Sequence, residues 1–167
     1  MRNTLVKVGL STAAAVLLMS SSAYAQATAT ASVNVTVNVA AKARLTLGAA
    51  SIIFLDQDPA TVLTLQADPL TVDVSARTAP AASVTLTVVA TGDLAGPGGA
   101  TIPVTTLAWT ATGGGFAGGS SSTVAQTVGS WTGSGSRSGS QLYTLPNLWT
   151  YAVGNYSTTL NYTLTAP

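Results

Sequence analysis

The chain has 167 residues, of which 47% are hydrophobic and only 7% are charged. It contains no Cys and no His, which excludes disulfides, Ser-His-Asp or Cys-His catalysis and the usual transition-metal sites. Six basic residues stand against five acidic ones, all of them Asp, so there is no electrostatic surface suited to nucleic acid.

The first 25 residues have the pattern of a secretory signal peptide. Arg2 and Lys7 give a basic start, Val8–Met19 is apolar, and residues 23–25 (Ala-Tyr-Ala) form a cleavage site. The apolar run is shorter than the ~20 residues that a membrane span needs. We therefore expect export via the periplasm and a secreted, extracellular or cell-surface product with no membrane span. Cleavage after Ala25 leaves four basic residues against five Asp, a net charge of −1.

From residue 27 to residue 47 small or apolar side chains alternate with polar ones. Every odd position is Ala, Val or Leu, and every even position except Ala40 is polar. Period two is typical of an extended chain with one face to bury. At roughly 3.3 Å per residue the segment would span about 70 Å, which is longer than an ordinary strand. We predict two strands, or a strand and an extension, joined near Ala40-Ala41.

The rest of the chain has the composition of short strands separated by turns. Alternation is clearest at 70–77, 83–90 and 156–164, and weaker strand patterns cover 51–55, 61–66, 101–112, 124–131 and 142–151. The Gly- and Ser-rich stretches 113–122 and 133–139 are predicted to be loops. Turn signals every 8–12 residues or so favour an all-β fold, an antiparallel β-sandwich over residues 41–167.

One pair of carboxylates is a candidate for chemistry. Asp56 and Asp58 are close enough in sequence to suggest acid/base hydrolysis or Ca²⁺ binding. Because Pro59 follows them, a turn is the more typical outcome of this sequence. We predict no catalytic, metal or cofactor site and a protein that is not an enzyme.

Aromatic residues are a second candidate, since they could form a platform for a sugar. The five concerned are Trp109, Trp131, Tyr143, Trp149 and Tyr151. One aromatic side chain on each of several strands more commonly packs in the core, and that is our prediction.

Both ends of the exported chain resemble subunits of bacterial surface pili that are assembled by the chaperone–usher route. Residues 154–165 (GNYSTTLNYTLT) are similar to the C-terminal strand of those subunits, and Ala29–Val39 is similar to their donor strand. The layout equally resembles secreted proteins of the spore coat U type. The chain departs from many pilins in lacking a Cys pair, and its end, residues 165–167, lacks the aromatic residue of the classical branch.

The resemblance implies an immunoglobulin-like sandwich that lacks one strand, which the N-terminal extension of a neighbouring copy supplies. Residues 26–40 would be this donor strand. The side chains that would enter the neighbour are Val33, Val35, Val37 and Val39. The expected protein is a structural subunit of a homo-oligomer or fibre, with a periplasmic chaperone and an outer-membrane usher as further partners. Alternatively, residues 27–39 are an internal strand of a monomeric secreted module that binds a glycan or a surface.

Overall fold

The computed structural model describes residues 27–167, so the expected signal peptide lies outside the described residues. The chain divides into one unit that ends at Val37 and a second unit, Asn38–Pro167. Within the described residues no helix is long and apolar enough to cross a membrane. The second unit, called the body below, is all-β and antiparallel.

Eleven strands make up the body. They are β1 (Lys42–Leu47), β2 (Thr64–Gln66), β3 (Leu70–Arg77), β4 (Ser83–Ala90), β5 (Leu94–Ala95), β6 (Thr101–Ile102), β7 (Ala108–Thr112), β8 (Gly119–Ser120), β9 (Gln126–Thr132), β10 (Gly135–Pro146) and β11 (Leu160–Thr165). Two short 3₁₀ turns, Pro97–Gly99 and Val104–Thr106, lie between them.

The strands form two sheets that pack against each other as a sandwich. The larger sheet has the order β1-β3-β10-β7-β8, and β2 also pairs with β10. The smaller sheet has the order β11-β4-β9, and β5 and β6 pair separately. β10 is the longest strand, with 12 residues, and pairs with β3 and then β2 along one edge and with β7 along the other.

The core lies between the sheets, where the alternating strands meet. The side chains of Val72 and Val74 on β3 face those of Leu86 and Val88 on β4, and all four are buried. Burial of an aliphatic side chain of this size contributes about 1.5–3 kcal/mol. The period-two pattern of these strands therefore builds a stabilising apolar core between the sheets.

The prediction of a loop at residues 133–139 is wrong, because most of these residues belong to β10. Gly139 pairs with Val72, and the Phe116 ring occupies the space beside it. A Cβ atom at position 139 would also lie 2.5 Å from the carbonyl oxygen of Thr112. The small residues therefore mark a close approach of neighbouring groups rather than a turn.

Two other segments are less regular than their alternation predicts. In 51–55 only Phe54 pairs, through a single bridge to Ala67. Residues 101–112 are divided into β6 and β7 by the 3₁₀ turn at Val104–Thr106. Strand β1 begins at Lys42, next to the predicted joint.

Candidate functional site

Strand β11 is an edge of the smaller sheet, since it pairs with β4 alone. Leu160, Tyr162 and Leu164 point towards the core and are half-buried, whereas Asn161 and Thr163 are exposed. Among residues 27–167 no strand pairs with the other edge of β11. Such an edge presents unpaired N–H and C=O groups to which a further strand can bind.

An apolar groove of about 1270 Å³ lies beside this edge. One wall comes from residues 47–58 and the other from residues 151–162. Buried core side chains also line it, and they come from the larger sheet, from β5 and β6, and from the residue before β7: Leu70, Leu94, Ile102, Leu107 and Leu145. The core of the sandwich is therefore accessible beside the first half of β11.

The groove opens towards one end of the body. β1 and β11 contact each other. The residues that these two strands contribute to the lining of the groove are Leu47, at the end of β1, and Leu160 and Tyr162, in the first half of β11. From there the groove extends towards the loop 147–155, which follows β10. Large exposed apolar side chains stand at this opening: Ile53, Leu148, Trp149 and Val153.

A small polar cluster lies where Tyr162 enters the core. The hydroxyl of Tyr162 donates to Oε1 of the buried Gln141 and meets the hydroxyl of Tyr143. Burial raises the pKa of Tyr143 to about 12, and the hydrogen bond with Tyr162 opposes this rise. Burial, with Tyr143 alongside, also raises the pKa of Tyr162. Both hydroxyls therefore stay neutral near pH 7 and act as hydrogen-bonding groups.

The four valines predicted as the donor face lie outside any strand. Residues 27–41 form no strand in the described part of the chain, and the side chains of Val33, Val35, Val37 and Val39 are 60–85% exposed. The alternative interpretation, in which 27–39 are an internal strand of a monomeric module, stays a prediction.

Asp56 and Asp58 lie at the opening of the groove, in the turn that leads to β2. The Asp58 carboxylate accepts a hydrogen bond from the Ala60 N–H at 2.9 Å, and its backbone carbonyl accepts from the N–H groups of Thr61 and Val62. These hydrogen bonds at Asp58 close the turn that was expected from the Pro at position 59. Within residues 27–167 no group of three or more acidic, Cys or His side chains could hold a metal ion.

The aromatic candidates have different environments. Trp109 is 3% exposed and packs against the buried Tyr143 with ring centroids 5.8 Å apart, which confirms the core prediction for both. Trp131 is half-buried beside Phe116. The core prediction is wrong for Trp149, which is 75% exposed because β10 ends at Pro146 and the chain continues as a surface loop.

Sequence patterns did not identify the residues that line the groove. The alternation of 156–164 predicted a half-buried strand, and the structure forms it from Leu160 to Thr165. The alternation carries no information about which neighbours that strand has. A scan of protein-family models found none that matches the chain, and a search of curated proteins found no match.

Proposed function

We propose that the protein is a non-catalytic structural subunit of an extracellular fibre or pilus, in which the N-terminal extension of one copy fills the groove of the next. One observation carries the proposal. An apolar groove that exposes the core lies beside the unpaired edge of β11, and the same chain has an exposed segment, 27–39, with the alternation that this groove would bury.

The chemistry of the two surfaces is complementary. A strand added to β11 would place every second side chain over the core, in step with Leu160 and Tyr162. The odd-numbered valines of the extension would then be buried, and its Asn and Thr residues would face solvent beside Asn161 and Thr163. Burying four Val side chains contributes roughly 6–12 kcal/mol before the entropic cost of association. Backbone hydrogen bonds along β11 add a contribution that depends little on sequence.

Extension and groove are different surfaces, so this contact is heterologous. Each copy has one extension and one groove. A row of copies joined by donation therefore has an empty groove at one end and an unused extension at the other, and further copies can join there. A heterologous contact that does not close into a ring builds a fibre. The same open groove exposes apolar surface before assembly, which favours aggregation. The periplasmic chaperone and outer-membrane usher that the family resemblance implies would protect and order subunits at this stage.

The test compares two charge-matched variants of the chain that starts at Gln26. One carries Val35→Asp and Val37→Asp, on the face that the proposal buries. The control carries Asn34→Asp and Asn38→Asp, on the opposite face. We expect fibres from the unmodified chain and from the control, by light scattering and negative-stain microscopy, and monomers from the valine variant. Fibres from the valine variant, or monomers from the unmodified chain, would contradict the proposal.

A synthetic peptide of residues 27–41 provides a second test on the valine variant. The groove of this variant is intact, so the peptide should bind and raise the melting temperature as its concentration rises. The same peptide with its four valines replaced by Asn should leave the melting temperature unchanged. If the two peptides behave alike, the valines are not the groups that the groove recognises.

A further inference from the structure

The basic side chains of the described residues are all at one end of the body. Lys42 on β1 lies opposite Arg77 on β3, and Arg44 follows two residues along β1. Arg137, near the start of β10, is in register with Val74 on β3. All four are exposed, and they are the only Lys and Arg residues within 27–167. They are called the basic end below.

Three exposed carboxylates lie at the opposite end. Asp56 and Asp58 are in the turn beside Asn147, which follows the last residue of β10. Asp93 accepts a hydrogen bond from the N–H of Val104, which lies shortly before β7. Because β7 starts beside Thr144, near the end of β10, Asp93 lies at this end too. These three residues are called the acidic end. β10 runs from one end to the other, which corresponds to about 40 Å at roughly 3.3 Å per residue.

The groove and the extension are each tied to one of these ends. The groove opens at the acidic end, because Asp56 and Asp58 line its opening. The extension leaves from the basic end, because only Ala40 and Ala41 separate Val39 from Lys42. Three residues of extended chain span at most about 11 Å. A copy whose Val39 lies in a groove therefore holds its own basic end close to that groove.

We propose that the acidic end of one copy binds the basic end of the next, and that this contact sets the direction in which the extension enters the groove. The inference rests on the proposed function. It adds a second interface, formed by charged side chains of the two bodies, to the donated strand.

The charges favour one direction of entry. If the extension runs antiparallel to β11, Val39 lies at the opening and the donor's Lys42 and Arg44 approach Asp56 and Asp58 of the acceptor. If it runs parallel, Val39 lies at the far end of β11, and the donor's Lys42 approaches the basic end of the acceptor. Opposite charges attract and steer association in the first case, whereas like charges repel in the second. The antiparallel direction also inserts the free N-terminus first through the open end.

Charge reversal at each end provides the test, with the initial rate of fibre assembly as the readout. The acidic-end variant is Asp56→Lys with Asp58→Lys, and the basic-end variant is Lys42→Glu with Arg44→Glu. At low ionic strength each variant alone should assemble at least about tenfold more slowly than the unmodified chain. An equimolar mixture should recover the rate, because alternating copies then place opposite charges at every contact. Salt near 1 M should reduce all these differences, since the Debye length falls to about 3 Å.

The control introduces two Lys residues away from both charged ends, through Thr127→Lys with Ser130→Lys at exposed positions on β9, the opposite edge of the smaller sheet. This control should assemble at close to the rate of the unmodified chain. The inference fails if the control slows assembly as much as the acidic-end variant, or if the mixture does not recover. It also fails, with donation still intact, if both end variants assemble at the normal rate while the Val35→Asp, Val37→Asp chain does not assemble. Monomers from the unmodified chain would overturn donation itself.

Disulfide trapping tests the direction independently, because the chain has no Cys of its own. Asn38→Cys in one copy is mixed with Thr159→Cys in another, and in parallel with Thr165→Cys. Antiparallel entry places residue 38 near residue 159, so oxidation should yield that mixed disulfide and little with position 165. Adjacent strands bring Cα atoms within the 4.4–6.8 Å that a disulfide requires. Preferential linkage to position 165 would overturn the proposed direction.

Discussion

The hydroxyl of Tyr162 on β11 meets the hydroxyl of Tyr143 on β10, so a hydrogen bond joins the two sheets across the core. Tyr162 also donates to the buried Gln141 and at the same time lines the groove. The inward face of the edge strand is thus held in place by a polar contact beneath the site where we propose a neighbour's strand to bind.

Removing the Tyr162 hydroxyl should destabilise the fold. In Tyr162→Phe the Tyr143 hydroxyl and the Gln141 amide oxygen lose this partner, and leaving such groups buried costs about 1–3 kcal/mol. The free energy of unfolding, extrapolated from urea denaturation, measures the loss. Tyr156→Phe is the control, since its hydroxyl donates to the Ala152 carbonyl at an exposed position and should contribute less. Equal losses from the two variants would contradict the role given to the cluster.

Stability should fall at high pH because of the same cluster. Burial raises the pKa of Tyr143 to about 12, so the folded chain keeps a proton that the unfolded chain releases above a pKa of about 10. The stabilisation is complete below pH 10 and is lost as the pH rises towards 12, at roughly 1.4 kcal/mol per pKa unit. Urea denaturation at a series of pH values measures the slope. A slope in Tyr143→Phe as steep as that of the unmodified chain would refute this assignment.

The tryptophans should differ sharply in their effect on stability. Trp109→Ala should lower the free energy of unfolding by about 3–5 kcal/mol, because the ring is buried and its Nε1 donates to the Ala117 carbonyl at 2.8 Å. Trp149→Ala should change it by less than about 0.5 kcal/mol, because that ring is exposed. Thermal or urea unfolding of both variants checks this. Comparable losses would mean that Trp149 is packed in solution.

Asn147 should hold the turn that carries the acidic end. Its Nδ2 donates to the carbonyls of Gln57 and Val62, at 3.0 and 2.9 Å. Asn147→Ala removes both bonds at a buried position and should cost about 1–3 kcal/mol. Limited proteolysis should then cut within residues 57–62 faster than in the unmodified chain. Asn161→Ala, at an exposed position on β11, is the control and should leave the cleavage rate unchanged.

Alternation predicted the strands that are buried on one face. β3 and β4 begin and end where the sequence pattern places them, because Val and Leu at every second position have one core to face. The first half of β10 was missed for a physical reason. The Phe116 ring occupies the space that a side chain at position 139 would need, so the residue there is Gly. A Gly contributes neither an apolar nor a polar side chain to an alternating pattern.

The groove and the two charged ends depend on which strands are neighbours, and the sequence pattern contains no such information. The alternation around Tyr162 is the same whether β11 has one partner or two. Lys42 and Arg77 are 35 positions apart in the sequence, and only the register of β1 with β3 brings them together. The residues of the donor face could be named from the sequence, whereas the surface proposed to receive them could not.

The 12 residues of β10 also determine how the body responds to a pulling force. β10 connects the basic end with the acidic end and pairs with β3, β2 and β7 on the way. Antiparallel hydrogen bonds lie perpendicular to the strands. Tension between the two ends therefore shears many of these bonds simultaneously, rather than opening them one at a time. We therefore expect the body to resist tension applied between its basic and acidic ends, which is the direction in which the proposed fibre would stretch it.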